Sequence, residues 1–181
     1  MSVEQLWVIG IAALLLFWAL GAHNRVVALR SAIAAAWAQV DAALQRRSAA
    51  VAALVTGLRG HMPDEQGTLD AVLVAQARVQ AAADALRPRP VRADHAQALA
   101  QAEGTLSAAL ARLLALLDHQ PALRQSSELA PQLAVLHDTT PRLAFARQLF
   151  NDAARVYNDA ARQFPTRLLT RLFGFGPAGQ L

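Results

Sequence analysis

An all-α protein is predicted, with an N-terminal transmembrane helix followed by an antiparallel four-helix-bundle-like body. Three observations predict it. The composition is 55% hydrophobic and rich in alanine, the best helix former and a poor strand former. Residues 6–22 (LWVIGIAALLLFWALGA) carry no charge. Apolar residues recur every seven positions in four later stretches, most plainly where one heptad is written twice, FNDAARV then YNDAARQ. Phe150, Tyr157 and Phe164 then share one stripe, with Ala146, Ala153 and Ala160 four residues before each aromatic. Large and small residues alternate along such a seam, which is expected to be buried against other helices. The chain divides into an anchor over residues 1–23, a bundle over 24–165 and a short C-terminal tail over 166–181.

The uncharged span comes first. Its seventeen residues reach about 26 Å as a helix, the short end of what crosses a bilayer core. Trp7 and Trp18 lie near its ends, where amphipathic rings settle at the lipid–water boundary. A cleaved signal peptide is the rival, with Ala19-Leu20-Gly21 as its cleavage site, but no basic residue precedes the apolar run. Glu4 lies before the span, and Arg25 and Arg30 follow it. The positive side stays in the cytoplasm. The body is therefore expected in the cytoplasm of an inner-membrane, single-pass protein with its N-terminus outside.

The first body helix should run straight out of the span, because residues 24–58 contain no proline. Val26, Ile33, Val40, Arg47 and Leu54 form one column; Arg30, Trp37, Leu44, Val51 and Leu58 form the other. Gly57, Gly60 and Pro63 end it. A second helix covers about 64–86, with columns Leu69, Gln76, Ala83 and Val72, Val79, Leu86. Residues 87–92 (RPRPVR) break it, since proline is excluded from a helix interior. A third runs over about 94–119 on Leu99, Leu106, Leu113 and Glu103, Leu110, Leu117, and stops at Pro121. The fourth opens near Ser127, with Pro131 in its first turn. Thr140 then Pro141 reads as an N-cap and first-position proline, so a kink or short break is expected there. Leu129, Leu136, Leu143, Phe150, Tyr157 and Phe164 share its column, and Pro165 stops it. Alternation of direction returns the fourth helix towards the bilayer. The tail then presents Arg167, Leu168, Arg171 and Phe173 to the membrane surface, as apolar residues flanked by arginine do; packing on the bundle is the alternative.

Charge and chemistry narrow the function. All 17 basic residues are arginine, the net charge is +4 and cysteine is absent. The arginines are spread along the chain rather than clustered with aromatic platforms, which argues against nucleic acid. Without cysteine there is no disulfide, thiol nucleophile or thiolate metal site. The five histidines form no i, i+4 pair, and no phosphate-binding glycine loop or nucleophile elbow occurs. No catalytic residue, metal ligand or cofactor is expected.

Two groups of residues stand out. Arg30, Arg47 and Glu103 interrupt apolar columns, and a lone core charge costs several kcal/mol unless paired. Either Glu103 pairs with Arg47 or Arg147 across the bundle, or each charge sits at a seam edge with its head in water. Asn151, Tyr157, Asn158 and Asp159 lie on and beside the aromatic stripe. They are either a solvated face laced with weak i, i+4 pairs or a polar groove that binds a partner segment.

The chain resembles the LemA family of bacterial membrane-anchored helical proteins. Residues 23–30 (HNRVVALR) look like the segment after the anchor, with histidine in place of the usual tyrosine. Trp37, Asp41, Arg46 and Arg47 are similar to the tryptophan–aspartate–double-basic motif. Residues 60–65, Ala77-Arg78, Ala102-Glu103, Leu106, Pro121 and Leu123 follow in order. Ala146-Arg147, Tyr157-Asn158, Phe164-Pro165 and Phe173-Gly174-Phe175 complete the match. Departures are the alanine-rich stretch after Arg47, the absent glutamate before Ala146-Arg147, and an ending soon after Phe175 without the family's acidic–aromatic tail. The resemblance implies a single-pass anchor and a helical bundle, and no agreed activity. The expected function is a membrane-anchored scaffold or adaptor without catalysis. It would bind the bilayer through the first helix and an unidentified protein partner through a helical face, with self-association left open. The alternatives are a membrane-bound hydrolase or metal-dependent enzyme with a fold-assembled site, or an exported sensor domain.

Overall fold

The computed structural model describes residues 3–164, 166, 167, 170 and 176–181. Among these the chain is helical, as the composition requires. The elements are α1 (Val3–Arg59), a 3-10 turn (Pro63–Glu65), α2 (Gln66–Leu86), α3 (Ala93–Asp118), the single turn α4 (Pro121–Arg124) and α5 (Ala130–Arg162).

Helix α1 is one unbroken rod of 57 residues, about 86 Å long at the usual rise. Its character changes along its length. From Leu6 to Leu20 its large apolar side chains are open to the surroundings on every side, Phe17 at 72% and Trp7 at 70% exposure. No part of the body covers them, and α1 is by length and composition long and apolar enough to cross a membrane. From Ala22 onward only one face is buried: Val26, Ile33, Trp37, Val40, Leu44, Val51, Leu54 and Leu58. Both heptad columns point inward here, apart from exposed Arg30 and half-buried Arg47.

The turn after α1 is held by its own polar groups. Met62 N–H donates to Leu58 O at 3.0 Å, and Gln66 Nε2 donates to the Arg59 and Met62 carbonyls at 3.1 Å each. Carbonyls at the end of α1 that lack helical partners are thereby satisfied. Helix α2 buries Leu69, Val72, Gln76, Val79, Ala83 and Leu86, all six of its column residues. Helix α3 buries Leu99, Glu103, Leu106, Leu113 and Leu117. Helix α5 packs along α1, α2 packs on α3, and α1 also meets α2.

Three local expectations fail in α5. Thr140 and Pro141 do not start a helix: α5 continues through Pro141. The Thr139 and Thr140 hydroxyls instead donate back to the Val135 and Leu136 carbonyls at 2.6 and 2.8 Å. Leu136, Leu143, Ala146 and Phe150 are buried on both sides of the proline. That continuous apolar face outweighs the local cap signal, because most helical stability in proteins comes from tertiary packing. Phe164 also leaves the buried seam. It is 72% exposed, because α5 ends at Arg162. Its ring lies 5.4 Å from that of Trp18, at the height where α1 turns wholly apolar. The fourth helix begins at Ala130 rather than near Ser127, and the preceding residues form the separate turn α4.

The Asn151–Asn158 clasp and the groove between α3 and α5

Val40, Leu44 and Arg47 of α1 line a groove together with residues of α3 and α5. The nearer half of this groove is filled by residues 176–181. Asn158 Nδ2 donates to the Ala178 carbonyl at 2.9 Å, and its Oδ1 accepts the Ala178 N–H at 2.8 Å. One heptad earlier, Asn151 Nδ2 donates to the Leu181 carbonyl at 2.8 Å and its Oδ1 accepts the Leu181 N–H at 2.7 Å. Tyr157 Oη donates to the Gly176 carbonyl at 3.1 Å. Seven helical residues advance about 10.5 Å, and three extended residues advance about 10 Å. The duplicated heptad therefore places two asparagines at the repeat of every third residue of an extended chain. Each side-chain amide grips both polar groups of one residue, as a neighbouring strand would.

The opposite wall comes from the start of α3. Arg92 forms an isolated antiparallel bridge with Ala178, and Gly179 N–H points to Val91 O at 3.4 Å. A Cβ at Gly179 would lie 2.6 Å from Ala93 Cα and 2.7 Å from Ala96 Cβ, so only glycine passes there. The Arg92 guanidinium donates to Asp94 at 2.8 Å through Nε. It holds that carboxyl well below the usual carboxylate range, and Asp94 in turn raises the arginine further. Burial pushes the Tyr157 phenol up, against a smaller lowering by Arg30.

Beyond Leu181 the groove continues unfilled as a cleft of about 880 Å³. Leu110, Leu114 and Leu117 of α3 face Leu133, Leu136 and Leu143 of α5, with His137 and Thr140 also lining it. At the junction of the two halves lies the charged pair. Arg47 donates through both terminal nitrogens to both Glu103 oxygens, at 3.0 Å for one of the two contacts. The side chains are 11% and 8% exposed. A bidentate guanidinium–carboxylate contact of this kind is strong and geometrically specific. Arg147 shares the lining with Glu103 but forms no ion pair among the described residues.

The other singled-out residues are dispersed. Asp159 is exposed and takes no part in holding 176–181. Asp152 pairs with Arg155 at 3.4 Å on the solvent side. Arg167 is exposed, while Leu168, Arg171 and Phe173 lie outside the described residues. His61 bonds the Gly57 carbonyl at 2.9 Å, and His95 sits 3.9 Å from Asp94. Among the described residues no three His, Asp or Glu side chains converge as a metal site. Sequence reasoning picked out Asn151, Tyr157 and Asn158 but missed their occupant. The available signal was the small-residue run Gly176-Pro177-Ala178-Gly179, which reads as flexible tail until α3 is placed beside it. The model of the LemA family matches residues 36–181. No curated protein matches the sequence.

Proposed function

We propose that this chain, which belongs to the LemA family, is a membrane-tethered, non-catalytic adaptor that holds an extended protein segment in the groove between α3 and α5. The observation that carries this reading is the clasp. Asn151 and Asn158 spend their side-chain amides on main-chain groups, which is how a surface recognises a polypeptide rather than a metabolite. The apolar stretch from Leu6 to Leu20 supplies the tether, with Trp7 and Trp18 as interfacial anchors. Arg25 and Arg30 keep the body cytoplasmic and the N-terminus outside. Trp18 and Phe164 in contact bring the end of α5 to the headgroup level, so the groove opens within reach of partners in or on the same bilayer.

The reading is tested by placing a photo-crosslinking residue at position 137, an exposed position lining the unfilled half of the groove. Irradiation of membranes containing the full chain is expected to give a discrete adduct larger than the monomer. A lone monomer under all growth conditions would contradict the adaptor reading.

A further inference from the structure

We infer that the groove selects extended partner segments of the pattern small–Gly–x–aliphatic, and that residues 178–181 are its built-in competitor. This deepens the adaptor reading and rests on it. The specificity follows from the geometry of each position. At the first, Ala178 is 6% exposed and clasped by Asn158, so a large side chain has no room. At the second, a Cβ on the segment would lie 2.6 Å from Ala93 Cα. Main chain cannot yield as the end of a flexible side chain can, so the position admits glycine alone. At the third, Gln180 is exposed and unselected. At the fourth, Leu181 packs on the core beside Val40, Leu44, Leu99 and Leu143.

The remaining contacts are to main chain only. Asn151, Asn158 and Tyr157 together supply five hydrogen bonds to the segment backbone. A segment from a partner that satisfies the two steric conditions therefore makes the same bonds. Continuity with the apolar cleft beyond Leu181 gives a longer partner segment additional leucine-lined surface that residues 176–181 leave uncovered. A tethered occupant competes at its effective concentration, which reaches millimolar for short connections. The cis segment thus sets a threshold that a partner must exceed.

The experiment uses the full chain in lipid nanodiscs, with Gly179→Val to expel the cis segment. The probe is a fluorescent hexapeptide of sequence GPAGQL with both ends capped. The G179V chain is expected to bind it saturably and about tenfold or more tightly than the natural chain does. A probe with its glycine replaced by alanine should bind neither. Adding Asn151→Ala and Asn158→Ala should abolish binding to the G179V chain, with an unchanged helical circular dichroism spectrum as the folding check. Replacing the probe glutamine by alanine should change nothing. Equal binding of the alanine-for-glycine probe, or no binding by a folded G179V chain, overturns the proposal. The photo-crosslink reports separately on the adaptor reading: an adduct without peptide binding removes the motif and leaves the adaptor, and peptide binding without an adduct does the reverse.

Discussion

Glu103 shows how one side chain decides between two readings of the same pattern. In the heptad column it is an anomaly, and the sequence offers it two arginines or a place at the seam edge. The fold brings Arg47 into bidentate contact and leaves Arg147 on the cleft wall. Removing one partner strands a nearly buried charge. Glu103→Leu is expected to cost about 3 kcal/mol, a fall in melting temperature of about 6–12 °C for a domain of this size. The double change Arg47→Met with Glu103→Leu should recover most of it. A single mutant that melts like the natural chain would contradict the pair. Tyr157 is the only tyrosine, so its ionisation is readable by near-ultraviolet absorbance. Its phenol is raised by burial and donates to Gly176. The folded state holds this proton more tightly than the unfolded chain does. Its contribution is therefore complete below the ordinary tyrosine value of about 10 and is lost as pH rises through the raised one. A titration midpoint at or below that of free tyrosine would contradict this environment.

Helix α5 is where local and tertiary signals compete. Thr140-Pro141 carries a strong helix-start signal, yet burial at Leu136, Leu143 and Phe150 keeps the helix continuous. Proline still lacks the N–H that would bond the His137 carbonyl, and its ring crowds the turn before it. Pro141→Ala is expected to stabilise the protein by about 1–3 kcal/mol, the gain in the helix being partly offset by a less restricted unfolded chain. A higher urea midpoint would agree, and a lower one would contradict it. The heptad columns of α1, α2 and α3 were legible because their burial is periodic and each helix repeats one chemistry. Phe164 was misread for a physical reason. Periodicity reports a shared stripe, but burial also needs a helix long enough to reach it and a neighbour on that side. Beyond Arg162 the helix has ended, and Trp18 is the neighbour.

At the scale of the molecule, the groove joins distant parts of the chain: α3 and the residues just before it, the duplicated heptad of α5, and 176–181. No short-range pattern could reveal this, because the match is between a helical rise and an extended rise on separate segments. The asparagines could be singled out from their repeat, whereas Gly179 acquires meaning only against Ala93 and Ala96. The exposed apolar part of α1 was legible throughout, since its apolar residues are unbroken and need no partner. Amide hydrogen exchange on the full chain in nanodiscs tests the clasp most directly. The Ala178 and Leu181 amides should exchange slowly in the natural chain and lose that protection together in Asn151→Ala/Asn158→Ala, while Leu44 and Leu106 stay protected. Rapid exchange of both amides in the natural chain would contradict the clasp.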